Sequence, residues 1–96
     1  METTPDFNEM DSQYYLPVFK RFPLTLVRGK GSRVWDDKNN EYIDAMAGIA
    51  VNSIGHCHPE LVKEITKQAE RLIHISNFYL SKPQALLSKK LAEISG

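Results

Sequence analysis

The feature that most constrains this chain is the segment AGIAVNSIGHCHPE, residues 47–60. Small and apolar residues run through Gly48 and Gly55 into a His-Cys-His-Pro entry to a helix. Glycine tolerates a positive φ angle and the close approach of another backbone. We therefore predict that the chain between the two glycines forms a tight, buried passage rather than a surface loop.

Length and charge exclude several classes of protein. The 96 residues are enough for one small domain. Twelve Lys and Arg balance twelve Asp and Glu, so the chain lacks the basic field that nucleic acid or an anionic membrane surface requires. No apolar run approaches the roughly 20 residues of a membrane span. The N-terminus lacks the features of a secretory signal, and the single Cys57 cannot form an internal disulfide, which predicts a cytoplasmic protein.

Three short segments rich in β-branched and aromatic residues predict strands. They are Leu24–Arg28, Arg33–Asp36 and Glu41–Asp44. We predict one turn at Gly29–Gly31 and a second at Asp37–Asn40, where asparagine accepts the left-handed conformation. The unit is thus a three-stranded antiparallel meander.

Two helices are predicted after the meander. The first begins at Pro59, and its apolar residues recur on one face: Leu61, Val62, Ile65, Ala69, Leu72 and Ile73. After a loop, Ser81 and Gln84 resemble a capping box, and Ser95-Gly96 would end the second helix. Its apolar stripe comprises Leu86, Leu87, Leu91 and Ile94. The predicted class is α+β, a meander followed by two helices.

The first thirteen residues predict a flexible or loosely docked lead. The aromatic and apolar segment Tyr14–Phe19 follows it, and we expect this segment to pack on another surface. Pro17 and Pro23 exclude a long helix across it.

Histidine, cysteine and lysine are the candidates for chemistry. His56, Cys57 and His58 are adjacent, whereas a zinc site draws three or four ligands from separated segments. The pattern favours a loop that enters a helix, and a small metal-binding protein is the least favoured alternative. No lysine lies in an apolar segment that could desolvate its amine.

Three segments resemble the class III (ornithine-type) aminotransferases, and within that family its acetylornithine branch. RGKGSRVWDDKNNEYID at 28–44 resembles the opening hairpin, AGIAVNSIGHCHPELV at 47–62 the characteristic N-terminal segment, and HISNFY at 74–79 the loop after the first long helix. The resemblance runs from about Tyr15 to the last residue, with the segments in the family's order.

The resemblance implies a fold-type I enzyme that uses pyridoxal 5'-phosphate and forms a homodimer. Such enzymes move an amino group from N-acetylornithine or a similar ω-amino donor to 2-oxoglutarate, and the acetylornithine members serve arginine biosynthesis. Residues 14–96 would be the N-terminal segment of the small domain. The cofactor-binding large domain, with its Schiff-base lysine, would lie beyond residue 96, and we expect this segment alone to be inactive.

Ile49, Val51 and Asn52 lie between the two glycines and are candidates for a wall of the substrate pocket, although composition favours packing in a core or at a domain junction. The resemblance implies a pocket-lining position for Ile49 and places Phe19 near the site of the substrate carboxylate, where it has no hydroxyl group to donate. A non-catalytic α+β interaction module, built from the same N-terminal segment, is the main alternative to an enzyme.

Overall fold

The computed structural model describes residues 5–96, which divide after Pro59 into two compact units. The first unit contains α1 (Phe7–Tyr14), β1 (Leu26–Lys30), β2 (Arg33–Asp36), β3 (Glu41–Ile43) and the single turn α2 (Ala47–Ala50). The second contains α3 (Pro59–Arg71) and α4 (Lys82–Ser95). This order confirms the α+β class, with a three-stranded meander followed by two helices. No helix within residues 5–96 has the length and apolar content of a membrane span.

The sheet is antiparallel in the order β1-β2-β3. Gly29 and Lys30 pair with Val34 and Arg33, so the ladder continues to a two-residue turn at Gly31–Ser32. The turn predicted to begin at Gly29 was therefore placed too early, because the ladder bonds of β2 hold Gly29 and Lys30 in a strand. β1 begins and ends two residues later than predicted. β3 begins where predicted and ends one residue earlier.

The turn between β2 and β3 is organised by the carboxylate of Asp36, which is 5% exposed. Its Oδ1 accepts hydrogen bonds from the backbone N–H groups of Lys38 (3.0 Å) and Asn40 (2.8 Å). Its Oδ2 accepts from the Asn40 side-chain amide (3.0 Å) and the Tyr42 hydroxyl (2.9 Å). These bonds, that of the Asn40 side chain above all, lower the pKa of Asp36 to about 2.

A helix occupies much of the segment predicted as a flexible lead. The side chain of Asp6 caps α1 by accepting hydrogen bonds from the N–H groups of Asn8 and Glu9, both at 3.1 Å. α1 ends at Tyr14, before Pro17, as the two prolines require. The first four residues of the predicted lead lie outside the described residues.

The two predicted helices are confirmed, but their apolar stripes are exposed. Ser81 is the N-cap of α4 without a side-chain hydrogen bond, so the predicted capping box does not form. The large apolar residues of the α3 stripe are 45–84% exposed, and those of the α4 stripe are 53–68% exposed. A groove of about 770 Å³ in the second unit is lined in part by Ile65, Ala69, Leu72, Leu80, Pro83 and Leu86.

Acid should weaken the sheet through Asp36. A carboxyl group with a pKa lowered by folding stabilises the native state above its ordinary pKa, and this contribution disappears as the pH falls through the folded pKa, here about 2. Asp36→Asn should loosen the sheet at neutral pH, and the difference between its Trp35 fluorescence and that of the native chain should shrink between about pH 4 and about pH 2. Fluorescence of Trp35, the single tryptophan, reports unfolding.

Asp37→Asn is the matched control, because Asp37 is adjacent and its side chain is exposed. This variant should follow the native chain at every pH. An Asp36→Asn difference of constant size down to about pH 2 would contradict the role assigned to this carboxylate.

Candidate functional site

Asp44 and His56 close the base of the segment 45–55. Asp44 Oδ2 lies 2.6 Å from His56 Nε2, and the two side chains are 17% and 23% exposed. Asp44 Oδ1 accepts hydrogen bonds from the N–H groups of Ala47 (2.9 Å) and Met46 (3.0 Å). The bond from His56, followed by those two backbone bonds, lowers the pKa of Asp44. We call this arrangement the Asp44–His56 clasp.

The clasp is anchored on the turn between β1 and β2. Gly31 N–H donates to the His56 carbonyl at 3.0 Å, and His56 N–H donates to the Gly31 carbonyl at 2.8 Å. Asp44 N–H donates to the Ser32 carbonyl at 2.8 Å. A Cβ atom at Gly29 would lie 2.8 Å from the Cβ and Cγ atoms of His56. Glycine at that position therefore leaves the space that the histidine occupies.

α2 is a single left-handed turn. Its four residues, Ala47–Ala50, all have positive φ angles, between 55° and 64°. The N–H groups of Ala50 and Val51 donate to carbonyls four residues earlier, at 3.0 and 2.8 Å. Three of the four residues are not glycine, and each costs about 1–2 kcal/mol in this region, or about 3–6 kcal/mol together. Strain of this kind concentrates at functional sites.

The large apolar side chains on the left-handed turn and directly after it are exposed to solvent. Ile49 is 83% exposed and Val51 is 76% exposed. The predicted passage is therefore tight but not buried, because its backbone bonds to itself and to the clasp and does not need a surrounding shell of chain. Asn52 is half-buried, and its N–H donates to the Ala47 carbonyl at 2.9 Å.

Three of the four predicted pocket residues lie on or directly after this turn: Ile49, Val51 and Asn52. The fourth, Phe19, lies on the connection between α1 and β1 and is 74% exposed. The sequence reasoning did not identify Asp44 or His56 as a pair. The available signal was the pair of glycines at the end of the first hairpin, which permits another segment to approach closely.

The described part of the chain contains neither a cluster of metal ligands nor a buried lysine. No group of three or more His, Cys, Asp or Glu side chains within residues 5–96 could hold a metal ion. His56 instead engages Asp44. All eight lysines are exposed: Lys20, Lys30, Lys38, Lys63, Lys67, Lys82, Lys89 and Lys90.

Comparison with known sequences identifies relatives over most of the chain. Residues 15–96 match the family described as aminotransferase class-III. Acetylornithine aminotransferase from Methanopyrus kandleri is 54% identical over 88 residues, which cover 92% of this chain and 23% of that protein. The corresponding protein from Methanocaldococcus jannaschii is 50% identical over 88 residues, covering 92% of this chain and 22% of its own length.

Solved structures show the same fold. Ornithine delta-aminotransferase from Plasmodium falciparum matches with a TM-score of 0.89 and 26% identity, over 95% of this chain and 24% of its own. N-acetylornithine aminotransferase from Stenotrophomonas maltophilia matches with a TM-score of 0.74 and 41% identity, over 85% of this chain and 21% of its own. The described fold is that of the N-terminal segment of these aminotransferases. The chain spans less than a quarter of the length of these relatives.

The handedness of α2 should reverse the usual effect of replacing alanine by glycine. Ala69→Gly in the right-handed α3 should destabilise the helix by about 1 kcal/mol. Ala50→Gly should instead stabilise α2 by up to about 1 kcal/mol, because glycine relieves the strain of a positive φ angle. Hydrogen exchange at the Val51 amide, which bonds to Ala47, measures local opening of α2.

We expect slower exchange at Val51 in Ala50→Gly and faster exchange in the middle of α3 in Ala69→Gly. Faster exchange at Val51 in Ala50→Gly would contradict a left-handed α2.

Proposed function

The chain belongs to the class-III aminotransferase family, and we propose that it forms the N-terminal part of an acetylornithine-type aminotransferase. The proposed reaction transfers an amino group from N-acetylornithine, or a similar ω-amino donor, to 2-oxoglutarate in arginine biosynthesis in the cytoplasm. The observation that carries the proposal is the 54% identity over 88 residues to an acetylornithine aminotransferase.

The proposed enzyme uses pyridoxal phosphate, which supplies an electron sink when bound. A lysine that holds this cofactor is activated by desolvation or by a neighbouring cation. None of the eight lysines of this chain lies in an apolar segment that could desolvate its amine, which argues against that role. We therefore assign the cofactor site to the remaining part of the enzyme, roughly three quarters of a relative's length, and we expect the 96-residue chain alone to be inactive.

The exposed apolar faces support a segment of a larger protein over a stand-alone interaction module. Complete burial of a Leu, Ile or Val side chain contributes about 1.5–3 kcal/mol. The α4 stripe, with exposed Leu86, Leu87 and Leu91, leaves most of that stabilisation unused within this chain. In the proposed homodimer, the rest of the enzyme covers these faces.

The position of α2 supports a substrate-pocket role for its side chains. The strained, hydrogen-bonded backbone of α2 orients Ile49 outward at low conformational freedom, and the exposed Val51 follows directly after it. We propose that these two residues, together with Asn52 and Phe19, line the pocket for the amino donor. Apolar contact with the methylene groups of an ornithine-like donor suits the two aliphatic side chains.

A hybrid enzyme tests the proposed function. This chain would replace the matched segment of the Methanopyrus kandleri acetylornithine aminotransferase, to which it is 54% identical. We expect the hybrid to form glutamate from N-acetylornithine and 2-oxoglutarate. The same relative without the segment is the control and should be inactive. A folded hybrid that contains cofactor but forms no glutamate would overturn the proposal.

The isolated chain gives the complementary test. Mixed with pyridoxal phosphate, it should show no stoichiometric absorbance band that depends on a particular lysine. A 1:1 band that a single Lys→Arg substitution abolishes would contradict the assignment of the cofactor lysine to the rest of the enzyme. A cooperative melt of a monomer or discrete dimer would favour the interaction module instead.

A further inference from the structure

We propose that the Asp44–His56 clasp is a positioning pair that sets the geometry of α2 and thereby the affinity for the amino donor. The inference rests on the proposed function, in which Ile49 lines the substrate pocket. Asp44 and His56 do not themselves touch the donor. They act by holding the backbone that presents Ile49.

The first support is that α2 needs to be held. Three of its residues have positive φ angles without being glycine, and Ile49 among them is β-branched, for which this region is especially unfavourable. The side chains of Ile49 and Val51 are exposed, so burial within residues 5–96 does not hold the turn. Hydrogen bonds remain, and Asp44 Oδ1 accepts two of them at the start of the turn.

The second support is that one carboxylate joins both ends of the segment. Asp44 Oδ1 bonds to the N–H groups of Met46 and Ala47, where the segment begins. Asp44 Oδ2 bonds to His56, where the segment ends. Hydrogen bonds to an ionised carboxylate are stronger than neutral ones, and this pair is largely shielded from water.

The third support is that backbone hydrogen bonds attach the clasp to the turn between β1 and β2. Gly31 exchanges two backbone hydrogen bonds with His56, and Ser32 accepts one from Asp44. These bonds use only backbone atoms, so they persist when either side chain of the clasp is removed. Removal of the Asp44 or His56 side chain should therefore free α2 while the sheet stays intact.

If Asp44 had only a structural role, its loss would lower stability without changing the KM. Asp36 provides the comparison within the same protein. Asp36, like Asp44, has a side-chain carboxylate that accepts several hydrogen bonds, but its four bonds organise the turn between β2 and β3. Loss of either carboxylate should lower stability. Loss of Asp44, unlike loss of Asp36, should change the KM for the amino donor.

The experiment compares four variants of the hybrid enzyme with its native form: Asp44→Ala, His56→Ala, His56→Gln and Asp36→Ala. Asp44→Ala and His56→Ala should each raise the KM for N-acetylornithine about tenfold, with a smaller change in kcat. His56→Gln should restore most of the affinity, because its side-chain amide can donate to Asp44. Asp36→Ala should lower the melting temperature and leave the KM unchanged.

Hydrogen exchange in the same proteins gives a readout independent of activity. The Met46 and Ala47 amides should exchange faster in Asp44→Ala and His56→Ala than in Asp36→Ala, because the first two variants lose the clasp. If Asp44→Ala does not fold, the contrast between His56→Ala and His56→Gln carries the test.

Two outcomes separate the claims. Equal KM values and equal exchange in the Asp44, His56 and Asp36 variants would overturn the positioning role while leaving the proposed function standing. A native hybrid without transaminase activity would overturn the proposed function itself, and with it the effect on donor affinity.

Discussion

The carboxylate of Asp44 is the interaction on which the described arrangement depends. It bonds to the first residues of a left-handed turn and to a histidine twelve residues further along the chain. That histidine exchanges backbone hydrogen bonds with Gly31 in the first hairpin. The Asp44 side chain thereby joins both ends of the segment that contains the strained turn, and backbone bonds of Asp44 and His56 attach the segment to the β-hairpin. The described residues of this unit bury few apolar side chains.

Local patterns explain why much of the fold could be predicted. β2, α3 and α4 each follow a periodic or propensity signal contained within the element itself. β1 was predicted two residues too early because the composition of Gly29 and Lys30 is typical of a turn. Hydrogen bonds to β2 hold both residues in a strand. α1 was missed because its stability comes from the cap at Asp6 rather than from a regular apolar face.

Non-local contacts explain what the sequence did not reveal. The approach of Asp44 to His56 depends on a turn whose handedness no hydrophobic period encodes. The glycines at Gly48 and Gly55 predicted a special backbone correctly, but not that Ala47, Ile49 and Ala50 would share positive φ angles. The predicted burial failed for a related reason. The backbone of residues 47–52 forms hydrogen bonds within the segment, so its exposed side chains can pack against another part of a larger protein.

The exposure of apolar side chains in this chain therefore indicates surfaces that another part of a larger protein covers. The faces of α3 and α4 and the side chains of α2 are apolar and uncovered, and the chain spans less than a quarter of its relatives' length. Both observations are explained by the proposed role, in which the segment forms a pocket wall and docks on the rest of the enzyme. The described residues fix the backbone of α2, and the proposal assigns the chemistry to residues elsewhere.

The most direct test of this account is the backbone conformation of residues 47–50 in a crystal structure of the hybrid enzyme. The account predicts positive φ angles at Ala47, Gly48, Ile49 and Ala50, with Asp44 bonded to His56 below them. A right-handed or extended backbone at these residues, in an enzyme that still transaminates N-acetylornithine, would contradict it.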